Sequence, residues 1–242
     1  MTRSPARSRN SNFLSRMMGM ATDPEKRQLL MLQLSPVALF LIVIVIFSLS
    51  ADRFFSLQTV NNVTIQSAHI AIIAIGMTFV LLTAGIDLSV GAIMYVVVAV
   101  VTKYLGDLPL FVSFPIGLLI GLVFGCINGF FIVVVRVAPF ITTLATLFIG
   151  RGIALFMTST AMVFANDDVL ALGQADWFGL RSSIWIFAIV FVLAFVVLRS
   201  TPFGRQVYAV GQDANAAAKA GLQVPLILFS VYAISGVCAA LG

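Results

Sequence analysis

Seven apolar runs dominate the chain, separated by short polar, glycine- or proline-containing connections. They are read at Leu30–Ser50, Val63–Ala84, Leu88–Leu105, Leu108–Val135, Pro139–Met157, Ile184–Leu198 and Pro225–Gly242. A helix needs about 20 apolar residues to cross the hydrocarbon of a bilayer, and most of these runs reach that length. None shows the alternation of polar and apolar positions that marks the shorter strands of a membrane barrel. The pattern therefore predicts an all-α fold, a polytopic helical transmembrane bundle. Residues 1–29 read as a basic cytoplasmic tail and residues 30–242 as the membrane domain. The last run stops in small apolar residues with no polar or basic ending, so the chain is expected to be truncated at its C-terminus.

Composition sharpens this picture. The 242 residues are 61% hydrophobic and 10% charged, against about 25% charged for soluble domains. The net charge of +5 sits between the apolar runs rather than along one basic face, which argues for membrane orientation and against a nucleic-acid partner. With the tail inside, ten of the fourteen Lys and Arg residues fall in inside connections and three outside, while Arg151 lies within a run. That bias places the N-terminus in the cytoplasm. One histidine, His69, excludes a His-based metal cluster, and Cys126 and Cys238 lack CxxC spacing and read as free thiols. No GxSxG, HExxH or GxxxxGK[ST] pattern occurs, so a chemical step, including ATP hydrolysis, would belong to another protein.

Several polar positions interrupt the runs. Thr83-Ala84-Gly85-Ile86-Asp87-Leu88-Ser89-Val90-Gly91 puts an acid, two glycines and two hydroxyls where almost no loop exists. Asp87 near the membrane interior is costly, so two readings stay open: a non-helical turn lining a translocation path, with Asp87 and Ser89 facing it, or a tight cytoplasmic turn capping the next helix. Asn128 suits helix–helix bonding or a polar solute, and Arg151 suits pairing, snorkelling or the path. Gly117, Gly121 and Gly125 form GxxxGxxxG, a close-packing face. His69 is read as a hydrogen-bonded residue near the outer end of its span. Trp177 and Trp185 suit an interfacial belt. The long connection Arg199–Val224 carries helix-breaking Pro202 and Gly204, then Asp213 as a cap, an alanine run and Gly221 as a stop. It is either a docking surface for a partner or an ordinary inside loop.

Four sequence blocks resemble one family. Ile72–Gly91 (IIAIGMTFVLLTAGIDLSVG), Cys126–Gly129, Ala138–Thr146 with Arg151-Gly152, and Gly204–Gly211 followed by Ala216-Ala217 and Gly221 occur in the order found in ribose-type permeases of sugar ABC importers. The resemblance runs from about Phe54 to the end. It implies a bacterial plasma-membrane permease working with cassette ATPase subunits, an extracytoplasmic sugar-binding protein and a second permease chain. It implies no cofactor in this chain, with ATP and Mg in the partner ATPase. It also implies that the segment holding Gly204, Arg205, Gly211, Asp213, Ala216, Ala217 and Gly221 docks on that ATPase. Asn215 stands where importers more broadly carry a Glu, and Ala84 where many relatives carry a second glycine. The alternatives are a secondary transporter using Asp87 and His69 as coupling groups, and a membrane-embedded enzyme, which the lack of paired catalytic residues disfavours.

The charge bias fixes a topology that impermeant thiol labelling of intact spheroplasts checks. Asp168→Cys should be modified and Ser8→Cys spared; the opposite pattern would invert the assignment.

Overall fold

The computed structural model describes residues 24–51, 53–161 and 167–242. The chain divides into two units, residues 1–60 and 61–242. In the first, α1 (Pro24–Ser50) contains Pro36 and an apolar stretch from Leu34 to Ser50. Pro24 opens this helix, as suits a residue with no N–H to lose there. The helix starts six residues before the first apolar run, so Pro24–Gln28 are helical; the rest of the expected tail, residues 1–23, lies outside the described residues. The Ser56 hydroxyl accepts the Thr59 amide at 3.1 Å and caps the start of α2 (Leu57–Leu82).

The remaining apolar runs of the second unit become α3 (Val90–Tyr104), α4 (Leu110–Val133), α5 (Pro139–Thr158), α7 (Ser182–Ser200) and α10 (Val224–Leu241). Between α5 and α7 lie α6 (Asp167–Gln174) and a two-residue antiparallel ladder, β1 (Asp176–Trp177) with β2 (Leu180–Arg181). Two short helices, α8 (Pro202–Gln212) and α9 (Ala214–Lys219), occupy the connection before α10. α2, α4, α5, α7 and α10 are long and apolar enough to cross a membrane. α3 is not: its 15 residues reach about 22 Å of a hydrocarbon layer about 30 Å thick. The chain from Gly85 to Ser89 is non-helical and interrupts the apolar stretch between α2 and α3, a broken span in which Gly85, Asp87 and Ser89 are buried and Ile86 is exposed.

Lipid gives apolar helices no hydrophobic reason to associate, so backbone proximity and polar contacts must hold them. The glycine stripe on α4 supplies the first. A Cβ on Gly125 would overlap the Tyr232 carbonyl and lie 3.0 Å from Ala233 Cα, one on Gly129 would lie 2.9 Å from the Phe229 ring, and one on Gly121 would overlap the Gly236 carbonyl. Gly236 faces the stripe from α10, where its own Cβ would sit 2.9 Å from Gly125 Cα. The expected close-packing face is thus the α4–α10 seam, with Gly117 instead meeting Val97 and Val101 of α3. A second core joins the surface helices to the spans through Phe79, Val80, Val207, Val210, Ala217, Ile227, Val231 and Tyr232. α7 buries only Ser182 and Ser183 and turns large apolar residues outward, as a lipid-facing helix does.

Helix α2 stops by a defined device. The Ala84 amide donates to the Leu81 carbonyl at 2.9 Å and the Gly85 amide to the Val80 carbonyl at 3.0 Å, with Ala84 at φ 58°. This is a Schellman end, whose left-handed position is usually glycine, which explains why a glycine would suit position 84. The Trp185 indole donates to the Trp177 carbonyl at 2.9 Å, tying the ladder to the start of α7. Cys126 and Cys238 are both free, as read from the sequence.

Holding alanine left-handed costs about 1–2 kcal/mol, which the extra unfolded-state freedom of glycine, about 0.4–1 kcal/mol, partly offsets. Ala84→Gly should therefore match or slightly exceed the parent in thermal stability in detergent, whereas Ala84→Val should fall by more than about 1 kcal/mol. A valine variant as stable as the parent would show that the left-handed end is not formed.

Candidate functional site

The broken span puts a carboxyl group where hydrophobic neighbours would strand it, and five hydrogen bonds resolve the problem. Asp87 is 1% exposed. Its Oδ1 accepts the Ser89 amide at 2.9 Å and the Ser89 hydroxyl at 2.6 Å. Its Oδ2 accepts the Ser235 hydroxyl of α10 at 2.7 Å. Asn128 of α4 donates from Nδ2 to Ser89 Oγ at 2.8 Å, and Thr146 of α5 donates to Asn128 Oδ1 at 2.6 Å. The cluster links the 85–89 segment to α4, α5 and α10. The Thr143 hydroxyl, 2.9 Å from its own helix's Pro139 carbonyl, also lies 3.2 Å from the Ile86 carbonyl. Asp87 stands at the start of α3, the positive end of its dipole. Among the described residues no Lys or Arg pairs with it.

Asp87, Ser89 and Asn128, singled out from the sequence, thus meet in one buried cluster. Arg151 does not join them. It is exposed, two-thirds along α5, beside a cleft of about 380 Å³ lined by Gly91, Ala92, Tyr95 and Leu147. His69 is exposed and lies midway along α2 rather than near one end; it lines a different, mostly apolar cavity of about 330 Å³ beside residues such as Val97, Val101 and Phe114, and among the described residues the hydrogen bond expected for it is not made. Two members of the cluster were missed from the sequence. Thr146 carries a faint signal in the Thr142-Thr143-Ala145-Thr146 stretch, while Ser235 sits among small residues like any helix-packing serine.

The candidates in the connection Arg199–Val224 fall on two faces. α7 ends at Thr201, extended as the residue before a proline prefers to be. The Thr201 hydroxyl accepts the Gly204 amide at 3.2 Å and donates to the Val197 carbonyl at 2.6 Å, stitching α7 to α8. Gly204 therefore does not break a helix: it lies inside α8, and its missing side chain lets α8 rest on the Val197 and Leu198 carbonyls. Gly211 is equally tight, since a Cβ there would overlap the Leu82 carbonyl at the end of α2. Asp213 accepts the amides of Asn215 and Ala216 at 2.8 and 3.0 Å, the cap read from the sequence. Gly221, at φ 86°, ends α9 in the same Schellman geometry, with the Leu222 amide on the Ala217 carbonyl at 3.1 Å. Ala217 points into the core, whereas Arg205, Tyr208, Asn215, Ala216 and Lys219 are exposed.

Removing one partner of a buried hydrogen bond leaves the other unsatisfied, at about 1–3 kcal/mol. Asp87→Ala strands the Ser89 amide and the Ser235 hydroxyl and should lower thermal stability by that order. Ser235→Ala should cost less, because the carboxyl keeps both Ser89 donors. The double variant should be less destabilised than the sum of the two, since the second change removes a group the first had orphaned. Strict additivity would mean that the Asp87–Ser235 bond is not made.

Residues 59–242 match the family described as "Branched-chain amino acid transport system / permease component". The ribose import permease protein RbsC of Haemophilus influenzae is 38% identical over 215 residues, covering 86% of this chain and 66% of that protein. The ribose import permease protein RbsC of Escherichia coli (strain K12) is 33% identical over 225 residues, covering 88% and 68%. The fructose import permease protein FruF of Bifidobacterium longum is 37% identical over 182 residues, covering 73% and 51%. This chain spans about two thirds of the length of those ribose permeases and about half of the fructose one. No solved structure matches it. The match takes in the broken span, the glycine seam and the helix pair α8–α9 alike, and the chain belongs to the branched-chain amino acid transport system / permease component family.

Proposed function

We propose that this chain is the membrane-spanning permease subunit of an ATP-binding-cassette importer that carries a monosaccharide into the cytoplasm by alternating access. The relatives named for ribose, fructose and galactofuranose support a small sugar as cargo. Cassette ATPase subunits binding ATP and Mg supply the force, an extracytoplasmic binding protein delivers the sugar, and a second permease chain completes the path. The N-terminus lies in the cytoplasm of a bacterial plasma membrane, following the charge bias.

One observation carries the mechanism. Gly211 of α8 rests directly on the Leu82 carbonyl, one residue before the turn that leads into the broken span. A push on the exposed side of α8 and α9 therefore reaches the end of α2 without an intervening flexible linker. Five positions further along the chain lies Asp87, whose cluster fastens the segment to three other helices. Arg205, Ala216 and Lys219 form the exposed docking face; Gly204, Gly211, Asp213, Ala217 and Gly221 shape and anchor it. Asp87, Ser89 and Asn128 serve the path as the joint that holds its inner wall, and Arg151 serves it as a side chain facing the solute. A partner ATPase supplies the chemistry, so this chain needs only to move.

Bulk added to a close-fitted interface commonly costs about 1–3 kcal/mol. Ala216→Trp, on the exposed face, should abolish co-purification of the cassette ATPase and cut ATP-driven sugar uptake at least tenfold at equal membrane levels. Ala217→Trp should instead lower the stability of the permease itself, because Ala217 is buried at 5% exposure. Association and uptake unaffected by Ala216→Trp would make 199–224 an ordinary inside loop. Uptake that ran on an ion gradient without ATP would overturn the importer reading.

A further inference from the structure

The second half of α5 presents an exposed guanidinium. Arg151 lies twelve residues past Pro139 and seven before Thr158, and its side chain is exposed. Among the described residues it has no carboxylate partner. A lone Arg at that depth is expensive in hydrocarbon and normally faces a water-filled cavity or the interior of an assembly. The cleft beside it fits that requirement. α3 and α5 cross closely where a Cβ on Gly150 would sit 3.2 Å from Ala92 Cβ. Just beside this crossing, Gly91, Ala92, Tyr95, Leu147 and Arg151 line a cleft of about 380 Å³, at the small end of the roughly 300–1,000 Å³ typical of small-molecule sites. Gly91 is exposed, and a Cβ there would meet nothing within 4 Å, so its smallness serves no packing contact.

We propose that this cleft is a half-site for a neutral sugar in transit, with Arg151 and Tyr95 as its polar contacts and Gly91 as its floor. The proposal rests on the permease reading above. Arg offers five donors in a fixed fork and no acceptor, while the Tyr hydroxyl both donates and accepts. Together they match the mixed hydroxyls of a sugar, whose C–H face lies against the Tyr95 ring and Leu147. An amino acid fits less well: its carboxylate would suit Arg151, but no acid lines the cleft to take its ammonium group. The cleft is not enclosed, so these residues supply only part of the contacts a bound sugar needs. The buried Asp87 cluster lies outside this lining and does not contribute to it.

The test uses the whole importer, this chain with its ATPase and binding protein, in proteoliposomes, with Cys126 and Cys238 replaced by Ala. A negatively charged, membrane-impermeant thiol reagent should modify Gly91→Cys at least tenfold faster than Phe191→Cys on the outward face of α7. Equal, slow rates would place the cleft in lipid and overturn the proposal whatever the chain transports. Uptake is then measured with D-ribose, D-fructose and L-leucine. For whichever sugar is carried, Arg151→Gln and Tyr95→Phe should each raise the KM at least fivefold with ATPase association unchanged. An unchanged KM in both, or a loss confined to L-leucine, would overturn the sugar assignment. Uptake of none of the three by the parent importer would count against the sugar-importer reading itself, while the labelling rates would still decide whether the cleft is aqueous.

Discussion

The structure turns on one acid. A carboxyl group inside a membrane bundle is tolerated only when its oxygens are satisfied, and Asp87 has no basic partner among the described residues. It is satisfied by two donors from Ser89 and one from Ser235. Because Ser89 in turn holds Asn128, and Asn128 holds Thr146, meeting the needs of one side chain positions the broken segment against α4, α5 and α10. A regular helix through residues 85–89 would satisfy its own backbone but could not bring Asp87 and Ser89 together in this way. The non-helical stretch is what the cluster requires, and the cluster is what makes the stretch tolerable.

Such a cluster forms only if the helices come close enough to share hydrogen bonds, and the glycine seam permits that. Gly121, Gly125 and Gly129 on α4 meet Gly236, Phe229 and the Tyr232 carbonyl on α10 with backbone in near contact. Asn128 lies on this seam's edge and Ser235 beside Gly236, so the residues that remove side-chain bulk stand next to the residues that bond. Dispersion across the seam and hydrogen bonds beside it replace the hydrophobic drive that lipid does not provide.

The same economy of side chains recurs at the short helices α8 and α9. Gly204 and Gly211 let α8 lie directly on the ends of α7 and α2, and Val207, Val210 and Ala217 seal it with a small core. Interfaces packed this tightly shift as units rather than yield gradually, and under the proposed coupling a displacement of α8 would reach Leu82 and the turn at Ala84. Outside this core the pair leaves a polar face with Arg205, Asn215 and Lys219 exposed, while Gly204 and Gly211 lie on the opposite side, against α7 and α2.

The sequence by itself determined the class of structure. Runs of about 20 apolar residues read as membrane helices, so the five helices long enough to span and the order of the apolar elements were legible, as were the Asp213 cap and the Gly221 stop, which depend on neighbours two to five residues away. The glycine period announced a close-packed face without saying against which helix. Other features depended on contacts between residues far apart in the chain. Asp87 and Ser235 are separated by 148 positions, and Ser235 looks like any small residue until α10 is placed. Gly204 reads as a breaker from its type, yet it serves as a contact inside α8, because what matters is the carbonyl of α7 lying against it. Ala216 and Ala217 are indistinguishable in sequence, and only the packing of α9 onto the core decides that one is exposed and the other buried. Local propensity and hydropathy act over a turn or two of chain and are written in it; which distant surface fills a gap or satisfies a donor is decided by the three-dimensional meeting of helices.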